Sequence, residues 1–242
     1  MVKGCNWRLF MLGSLQEQIR HGRKHSVSPS NINYRANVWA LKEAGCTHVL
    51  ASTACGSLRE EIKPGDLVLM RSFIDRTTSR KQTFYDGGLE SPVGVCHIPM
   101  EPAYCNATCD VLHESAKSLN LNIHPSAVCV VIEGPRFSSI AESRMYRAWG
   151  GDVINMTNVP EVVLAKEAGL CYAPVGLITD YDCWRDTGNK VCVEEVMSSF
   201  KNNCSNMIRL LKHVIPIIAQ KDWDHVIDSL RECSKSSVML PS

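Results

Sequence analysis

The chain has 242 residues, of which 45% are hydrophobic and 21% are charged, a balance typical of a globular protein with one substantial core. Its 26 Lys and Arg residues nearly cancel its 25 Asp and Glu residues, so the net charge favours neither nucleic acid nor an anionic membrane as a partner. No apolar run approaches the roughly 20 residues of a membrane helix, and the short apolar patch near the start, which Arg8 interrupts, lacks the features of a signal peptide.

Strand-like and helical patterns alternate along the chain. Short runs rich in valine and isoleucine predict buried strands, at 47–53, 66–73, 126–134, 152–156 and 175–180. The last strand is expected to begin after Pro174, because proline lacks the N–H that a central strand donates. Apolar spacing and capping signals predict helices, from 34 to a stop at Gly45 and at 103–119, 139–150, 159–168, 193–213 and 222–232. This order predicts the α/β class with a mostly parallel central sheet.

Two further features of the chain limit the interpretation. The twelve cysteines are irregularly spaced and include no pair of CxxC motifs, which favours free thiols in a reducing cytosol over disulfides or a zinc site. A long polar segment at 74–88 follows the second strand, and a segment of this kind is more often functional or mobile than a simple connection.

Polar residues collect where the predicted strands end. Thr53-Ala54-Cys55-Gly56 follows the first strand, Glu133-Gly134-Pro135-Arg136-Phe137 the third, Met156-Thr157 the fourth, and Asp180-Tyr181-Asp182 the fifth. In open α/β sheets the ligand binds beyond the carboxyl ends of the strands. We therefore expect these groups, with "RHGRKH" at 20–25, to share one crevice.

The groups in this crevice fall into two chemical sets. Arg20, His21, Thr53, Thr157 and the amide of Ala54 are donors suited to a small oxyanion such as phosphate. The second set is Asp180 and Asp182, whose i, i+2 spacing points both carboxyls the same way if the segment is extended. Two such carboxyls match the ring nitrogen and the exocyclic amine of adenine, and one of them, kept protonated by burial and by its neighbour, could protonate that nitrogen. Phe137 would cover a face of the base.

Each group also has a simpler interpretation when it is taken alone. The Thr-Ala-Cys-Gly turn is an ordinary turn, Arg20 and His21 are solvated surface, and Phe137 is core. An Asp-x-Asp pair is equally a loop cap or a magnesium site for a phosphorylated substrate. Their expected position at one edge of one sheet is what favours a functional site.

Longer motifs resemble a known family. "RHGRKHSVSPSNINYRANVWALKEAG", "STACGSLREEIKPGDLV", "GVCHIPM", "IEGPRFSS" and "TDYDCW" closely resemble 5′-methylthioadenosine phosphorylases, of the purine nucleoside phosphorylase family, and the match runs from about Arg20 to the C-terminus. The resemblance implies an α/β fold around a mixed sheet, a homotrimer, and phosphorolysis of methylthioadenosine to adenine and 5-methylthioribose 1-phosphate in purine and methionine salvage. It implies inorganic phosphate as a co-substrate, no cofactor and no metal. We expect the cytoplasm as the location, with the nucleus as a second one.

The resemblance also implies residue roles. Phosphate would be held by Arg20, His21, Thr53, Ala54 and Thr157. Asp180 and Asp182 would recognise adenine, with Asp180 donating the proton, Phe137 stacking and Ser138 close to the base. Met156 would lie under the ribose, and His97 of a neighbouring subunit would close the 5′ end. The methylthio pocket would be formed by Val193, Val196, Met197 and Met239, which without the resemblance are ordinary core residues.

The N-terminal segment departs from the family. Residues 1–19 contain nothing like the Gly-rich turn that donates to phosphate, and about three strands before the "RHG" motif are expected to be missing from the domain at 20–242. Missing strands predict unpaired sheet edges and weakened phosphate binding. This leaves three alternatives to an active phosphorylase of methylthioadenosine: a non-catalytic member that binds nucleoside or joins mixed trimers, a 6-oxopurine nucleoside phosphorylase, and a metal-dependent Asp-x-Asp enzyme.

Overall fold

A computed structural model describes residues 9–11, 20–22, 24, 26–185 and 193–241. The described helices are α1 Tyr34–Glu43, α2 Asn106–Ser118, α3 Ile140–Ala148, α4 Asn158–Glu167, α5 Val193–Gln220 and α6 Asp224–Ser236. The described strands are β1 Leu9–Met11, β2 His48–Ser57, β3 Leu67–Arg76, β4 Val95–Cys96, β5 Ile123–Ile132, β6 Val153–Asn155, β7 Cys171–Asp180 and β8 Val238–Met239. The alternation confirms the predicted α/β class.

The main sheet is mixed, in the order β1-β2-β6-β5-β3-β7, and a further pairing of β2 with β7 closes five of its strands into a ring. The two longest pairings, β2 with β7 and β3 with β5, are both parallel. The antiparallel pairings of β1 and β6 with β2 and of β3 with β7 are short. Closure gives β2 and β7 a partner on each side, whereas β1 pairs with β2 alone.

The predicted elements are all present, with differences at their ends. Strand β7 begins at Cys171, so the prediction that it starts after Pro174 was wrong. Pro174 is paired in register with Ala51 of β2, whereas on its other side β7 meets β3 only from Val175 onwards. The missing N–H of Pro174 therefore leaves no gap in the β3–β7 ladder. Helix α5 buries Met207, Leu210, Leu211 and Val214, whereas Ile208 is exposed.

The core lies between the closed sheet and the helices around it. Leu67, Val68, Leu69 and Met70 of β3 are all buried, as expected for a strand covered on both faces. A second, two-stranded sheet pairs β4 with β8. In the described part of the chain, no helix combines the length and the apolar character that crossing a membrane requires.

Residue His48 of β2 gives the fold a sensitivity to acid. Its ring is 1% exposed, packs against Trp223 at a centroid distance of 4.4 Å, and has no hydrogen-bond partner for Nε2 in the described residues. Burial lowers the pKa of His48 from 6.5 to about 4. The folded state thus prefers the neutral ring, and this contribution to stability is complete above pH 6.5 and is lost as the pH falls towards 4.

We expect His48→Phe to reduce this loss, because phenylalanine keeps the ring packing and cannot take up a proton. Between pH 7 and pH 4 the free energy of unfolding of the unmodified protein should fall by roughly 3 kcal/mol more than that of the variant. Urea unfolding at several pH values measures the difference. His225→Phe, at an exposed position of α6, is the control. Equal acid sensitivity of the unmodified protein and His48→Phe would contradict this explanation.

Candidate active site

One cavity of about 260 Å³ lies where the carboxyl-terminal parts of β2 and β7 meet the segments that follow β5 and β6. It collects most of the residues that the sequence predicted for the site. These are Arg20, His21, Thr53, Ala54, Phe137, Ser138, Met156, Thr157, Asp180, Asp182 and Val196. The strand-end rule therefore located the cavity correctly.

The two acids reach the cavity by a turn and not by an extended segment. Asp180 is the last residue of β7, whereas Asp182 has a φ of 50°, so the premise of an extended Asp-x-Asp segment was wrong. The amide N–H of Asp182 donates to Asp180 Oδ1 at 2.7 Å, and the Thr179 hydroxyl donates to Asp180 Oδ2 at 2.6 Å. Gly56 of β2 makes room for the pair, since a Cβ at this position would lie 3.1 Å from Asp180 Oδ1.

The carboxyl of Asp182 is desolvated by the protein around it. Burial raises the pKa of Asp182 above its ordinary value, against the opposing effect of the nearby Ser143 and Ser138 hydroxyls. Its Oδ2 atom, Ser138 Oγ and Ser143 Oγ are buried and lack a well-aligned hydrogen bond among the described residues, and Asp182 and Ser138 both line the cavity. Buried polar atoms are rarely left unpaired, so this end of the cavity is suited to a ligand with polar atoms on one edge.

At the other end of the cavity, Arg20 is held by a buried carboxylate. Its guanidinium makes a two-point ion pair with Glu161 of α4, and its Nη1 donates to the Ser52 carbonyl at 2.8 Å. The side chains of Arg20 and Glu161 are 4% and 6% exposed. Burial alone would lower the pKa of Arg20, but the Glu161 carboxylate outweighs burial and raises it. The Tyr172 hydroxyl also donates to Glu161, at 2.7 Å, which fixes the carboxylate that orients Arg20.

Neutral donors surround this arginine. The hydroxyls of Thr53 and Thr157 lie 3.3 Å apart, and Asn155 Nδ2 donates to Thr53 Oγ1 at 3.4 Å. His21 Nδ1 lies 2.8 Å from the Val27 carbonyl. Because a carbonyl can only accept, this bond places the proton of a neutral His21 ring on Nδ1. A guanidinium, two hydroxyls and an imidazole at one end of a cavity can bind a small oxyanion without metal.

Met156 forms one wall of the cavity. It lies directly against Gly134, which has a φ of 66° and whose Cβ, if there were one, would lie 2.5 Å from Met156 Sδ. Glycine at 134 is therefore required twice, for its left-handed backbone and for the close approach of the methionine.

We expect Gly134→Ala to impair binding in the cavity more than folding. The new methyl would push the flexible Met156 side chain away, and the left-handed backbone would cost about 1 kcal/mol. The KM for the nucleoside should rise roughly tenfold, because small displacements of the groups that position a substrate are costly. Gly87→Ala is the control, since Gly87 has a φ of 75° and nothing within 4 Å of its Cβ position. An unchanged KM in Gly134→Ala, or an equal rise in Gly87→Ala, would contradict the assignment.

Four of the sequence-predicted site residues are not seen lining this cavity. His97 and Met239 lie at the two-stranded sheet, where Val95 pairs with Met239 and the His97 amide donates to the Ser237 carbonyl at 2.8 Å. Met239 is 65% exposed, so within one chain it forms no part of a buried pocket. The side chains of Val193 and Met197 lie outside the described residues.

Two charged residues that the sequence did not single out support the site. They are Arg80 and Glu161, each of which binds a residue that lines the cavity. The signal that could have found Glu161 is its position on a strongly apolar helix, where an unpaired carboxylate would be costly. Among the described residues, no group of three or more His, Cys, Asp or Glu side chains is arranged to hold a metal ion.

Comparison with known proteins assigns the chain to a family. Residues 10–216 match the model of the phosphorylase superfamily. The chain is 59% identical to the S-methyl-5′-thioadenosine phosphorylase of Danio rerio over 222 residues, which are 92% of this chain and 79% of the relative. It is 60% identical to the protein of the same name from Aedes aegypti over 223 residues, 92% of this chain and 80% of the relative.

Solved structures of similar proteins point to the same family. The methylthioadenosine phosphorylase of Schistosoma mansoni in complex with adenine matches with a TM-score of 0.91 at 38% identity, over 96% of this chain and 86% of that one. A variant of the adenosine/methylthioadenosine phosphorylase from the same organism in complex with methylthioadenosine matches with a TM-score of 0.87 at 40% identity, over 91% and 81% of the two chains. The chain therefore belongs to the phosphorylase superfamily and, within it, to the S-methyl-5′-thioadenosine phosphorylases.

Proposed function

We propose that this protein catalyses the phosphorolysis of S-methyl-5′-thioadenosine, giving adenine and 5-methylthioribose 1-phosphate. The observation that carries the proposal is a single cavity with two carboxyls at one end and an arginine, an imidazole and two hydroxyls at the other. A flat base with polar atoms on its edge fits the first end, and an oxyanion fits the second. Relatives that are about 60% identical carry the name of this activity.

In the proposed reaction the bond between sugar and base stretches first, and positive charge develops on the ribose. Phosphate, held by Arg20, His21, Thr53, Thr157 and the amide of Ala54, stabilises that charge and then forms the new bond to the sugar. Met156 lies against the ribose and keeps it between the two ends.

The acid pair supplies the proton to the leaving base. The resemblance implied Asp180 as the donor of this proton, whereas burial raises the pKa of Asp182 and both Asp180 oxygens already accept hydrogen bonds. We therefore propose Asp182 as the proton donor and Asp180 as the fixed acceptor for the exocyclic amine. Ser138 lies close to the base, and Phe137 covers one face of it.

This arrangement also sets the choice of base. A 6-oxopurine presents an acceptor where adenine presents a donor, and a carboxylate at that position would then face another acceptor. The acid pair thus favours 6-aminopurines and argues against a 6-oxopurine nucleoside phosphorylase.

We further propose that the site is completed in a homotrimer. His97 and Met239 lie outside the cavity of their own chain, beside apolar side chains that are exposed in the monomer. These exposed residues are Leu89, Val93, Val95, Met239 and Leu240. A neighbouring subunit that covers them would bring His97 to the 5′ end of a nucleoside, where Val193, Val196 and Met197 would receive the methylthio group.

The proposal needs no cofactor, because phosphate itself is the second substrate. The described cysteines are all free, which is compatible with the expected cytoplasmic location and with a second, nuclear one.

The experiment that tests the function is adenine release from methylthioadenosine by the purified chain, with and without phosphate and with inosine assayed in parallel. We expect release that depends on phosphate, is unchanged by a chelator and is much slower for inosine. Loss of activity with the chelator would favour a metal-dependent enzyme, and preference for inosine would favour a 6-oxopurine phosphorylase. Absence of phosphate-dependent release would contradict the proposal and favour a non-catalytic member. Measuring the size of the protein with and without a catalytically active relative would then test whether the two form mixed trimers.

A further inference from the structure

The polar segment that follows β3 places one arginine behind the cavity. The side chain of Arg80 is 1% exposed, although the loop that carries it, 77–94, lies largely at the surface. Burying a guanidinium is costly unless its donors are satisfied, so the contacts of Arg80 indicate what the loop is for.

Arg80 connects three walls of the cavity. Nη1 donates to the carbonyls of Met156 and Val159 at 2.6 and 2.7 Å, which bracket the turn that carries Thr157. Nη2 donates to the Glu133 carbonyl at 2.6 Å, immediately before Gly134. Arg80 thus fixes the methionine wall against the segment that presents the aromatic and serine side chains.

The third wall is reached through a tyrosine. Arg80 Nη1 lies 3.3 Å from the Tyr34 hydroxyl, and that hydroxyl donates to the carbonyl of Pro29, a lining residue, at 2.8 Å. Tyr34 also packs against the guanidinium, which lies 5.5 Å from its ring centroid.

A carboxylate holds the loop that delivers Arg80. Glu133 accepts hydrogen bonds from the amides of Thr78 and Ser79 and from the hydroxyls of Ser30 and Ser79, and it forms an ion pair with Arg80 at 3.3 Å. Burial alone would raise the pKa of Glu133, but these hydrogen bonds outweigh it and lower the pKa to about 2. The anchor of the loop therefore stays charged well into the acid range.

We propose that Arg80 is a positioning residue for the reaction, which fixes the Met156 wall and the turn that carries Thr157 relative to the base end of the cavity. The proposal rests on the proposed function. Lysine cannot replace Arg80, because one ammonium cannot reach at once the carbonyls that Nη1 and Nη2 contact. Without Arg80 the side chains that would bind substrate are all still present, but they are no longer held at a fixed spacing.

The chain offers a matched control in Arg71 of β3. The side chain of Arg71 is 22% exposed and also makes several contacts, to the carbonyls of Pro125 and Asn106 and to the carboxylate of Asp110. None of these partners lines the cavity. Replacing Arg71 therefore removes a similar cross-link without touching the site.

The test compares Arg80→Lys and Arg80→Ala with Arg71→Lys and Arg71→Ala, by kcat, the KM for each substrate and the midpoint of thermal unfolding. We expect kcat/KM for methylthioadenosine to fall on the order of 100-fold in Arg80→Lys and by less than threefold in Arg71→Lys. Millimolar guanidinium, but not ammonium, should restore part of the activity of Arg80→Ala.

The possible results distinguish failure of the Arg80 inference from failure of the proposed function. If the unmodified protein releases no adenine, the proposed function fails. If it is active but Arg80→Lys retains full kcat/KM, or Arg71→Lys loses as much, the positioning role is wrong and Arg80 only stabilises the fold. Should Arg80→Ala not fold, Arg80→Lys still decides between these results.

Discussion

Replacing Asp182 by asparagine is expected to reduce adenine release from methylthioadenosine by a factor on the order of 100 to 10,000. Positioned proton transfer contributes gains of this size, and an amide cannot supply the proton. Burial raises the pKa of Asp182, so this carboxyl holds its proton to a higher pH than an exposed aspartic acid does. The active form is lost as the pH rises through that raised pKa, and the corresponding alkaline fall in kcat/KM should disappear in Asp182→Asn.

Asp180→Asn is expected to change specificity more than proton transfer. An amide at this position can donate to a 6-oxo group, so the ratio of the rates for adenosine-type and inosine-type substrates should fall by at least about tenfold. Asp66→Asn is the control, because Asp66 is a buried carboxylate with donors from Lys63, Asn122 and His124 and lies outside the cavity. Unchanged relative rates in Asp180→Asn, or the same shift in Asp66→Asn, would contradict the assignment of the base end.

The second large effect is expected from Glu161→Gln. This change leaves the buried guanidinium of Arg20 without its carboxylate, and removing one partner of a buried ion pair costs about 3–5 kcal/mol. Arg20 should also lose its fixed orientation, so the KM for phosphate should rise more than the KM for the nucleoside. Urea unfolding and initial rates at varied phosphate concentration measure the two effects.

The matched control for Glu161→Gln is Asp86→Asn. Asp86 pairs with Arg35 and Lys81 in a more exposed setting, where solvent screens the attraction between the charges. The Glu161 assignment predicts a large difference between the two variants. Equal destabilisation, or a KM for phosphate that does not move in Glu161→Gln, would show that the Arg20–Glu161 pair does not organise the anion end.

Much of the fold could be predicted because its signals are local. The apolar run in β3 is typical of a strand that is buried on both faces. The Ser139–Glu142 capping box marks the start of α3. The closure of the sheet through β2 and β7 had no local signal, since strand pairing depends on residues more than 100 positions apart in the sequence. The start of β7 was missed for the same reason, because only the pairing partners decide where Pro174 is tolerated.

The site was predictable where a side chain follows directly on a strand, and less so elsewhere. Asp180, Thr53 and Met156 were found by this rule, and the resemblance supplied roles for them. Arg80 and Glu161 escaped it, because one comes from a long loop and the other from a helix, and their partners are set only by the folded chain. The burial of Asp182 also depends on tertiary packing.

The most direct test of the whole account is a crystal structure of the protein with adenine and phosphate. The account predicts a base in the cavity whose ring nitrogen and exocyclic amine lie about 3 Å from the carboxyls of Asp182 and Asp180, with phosphate beside Arg20, His21 and Thr53. A cavity without base, or acids that face solvent or a metal ion while adenine binds elsewhere, would contradict it.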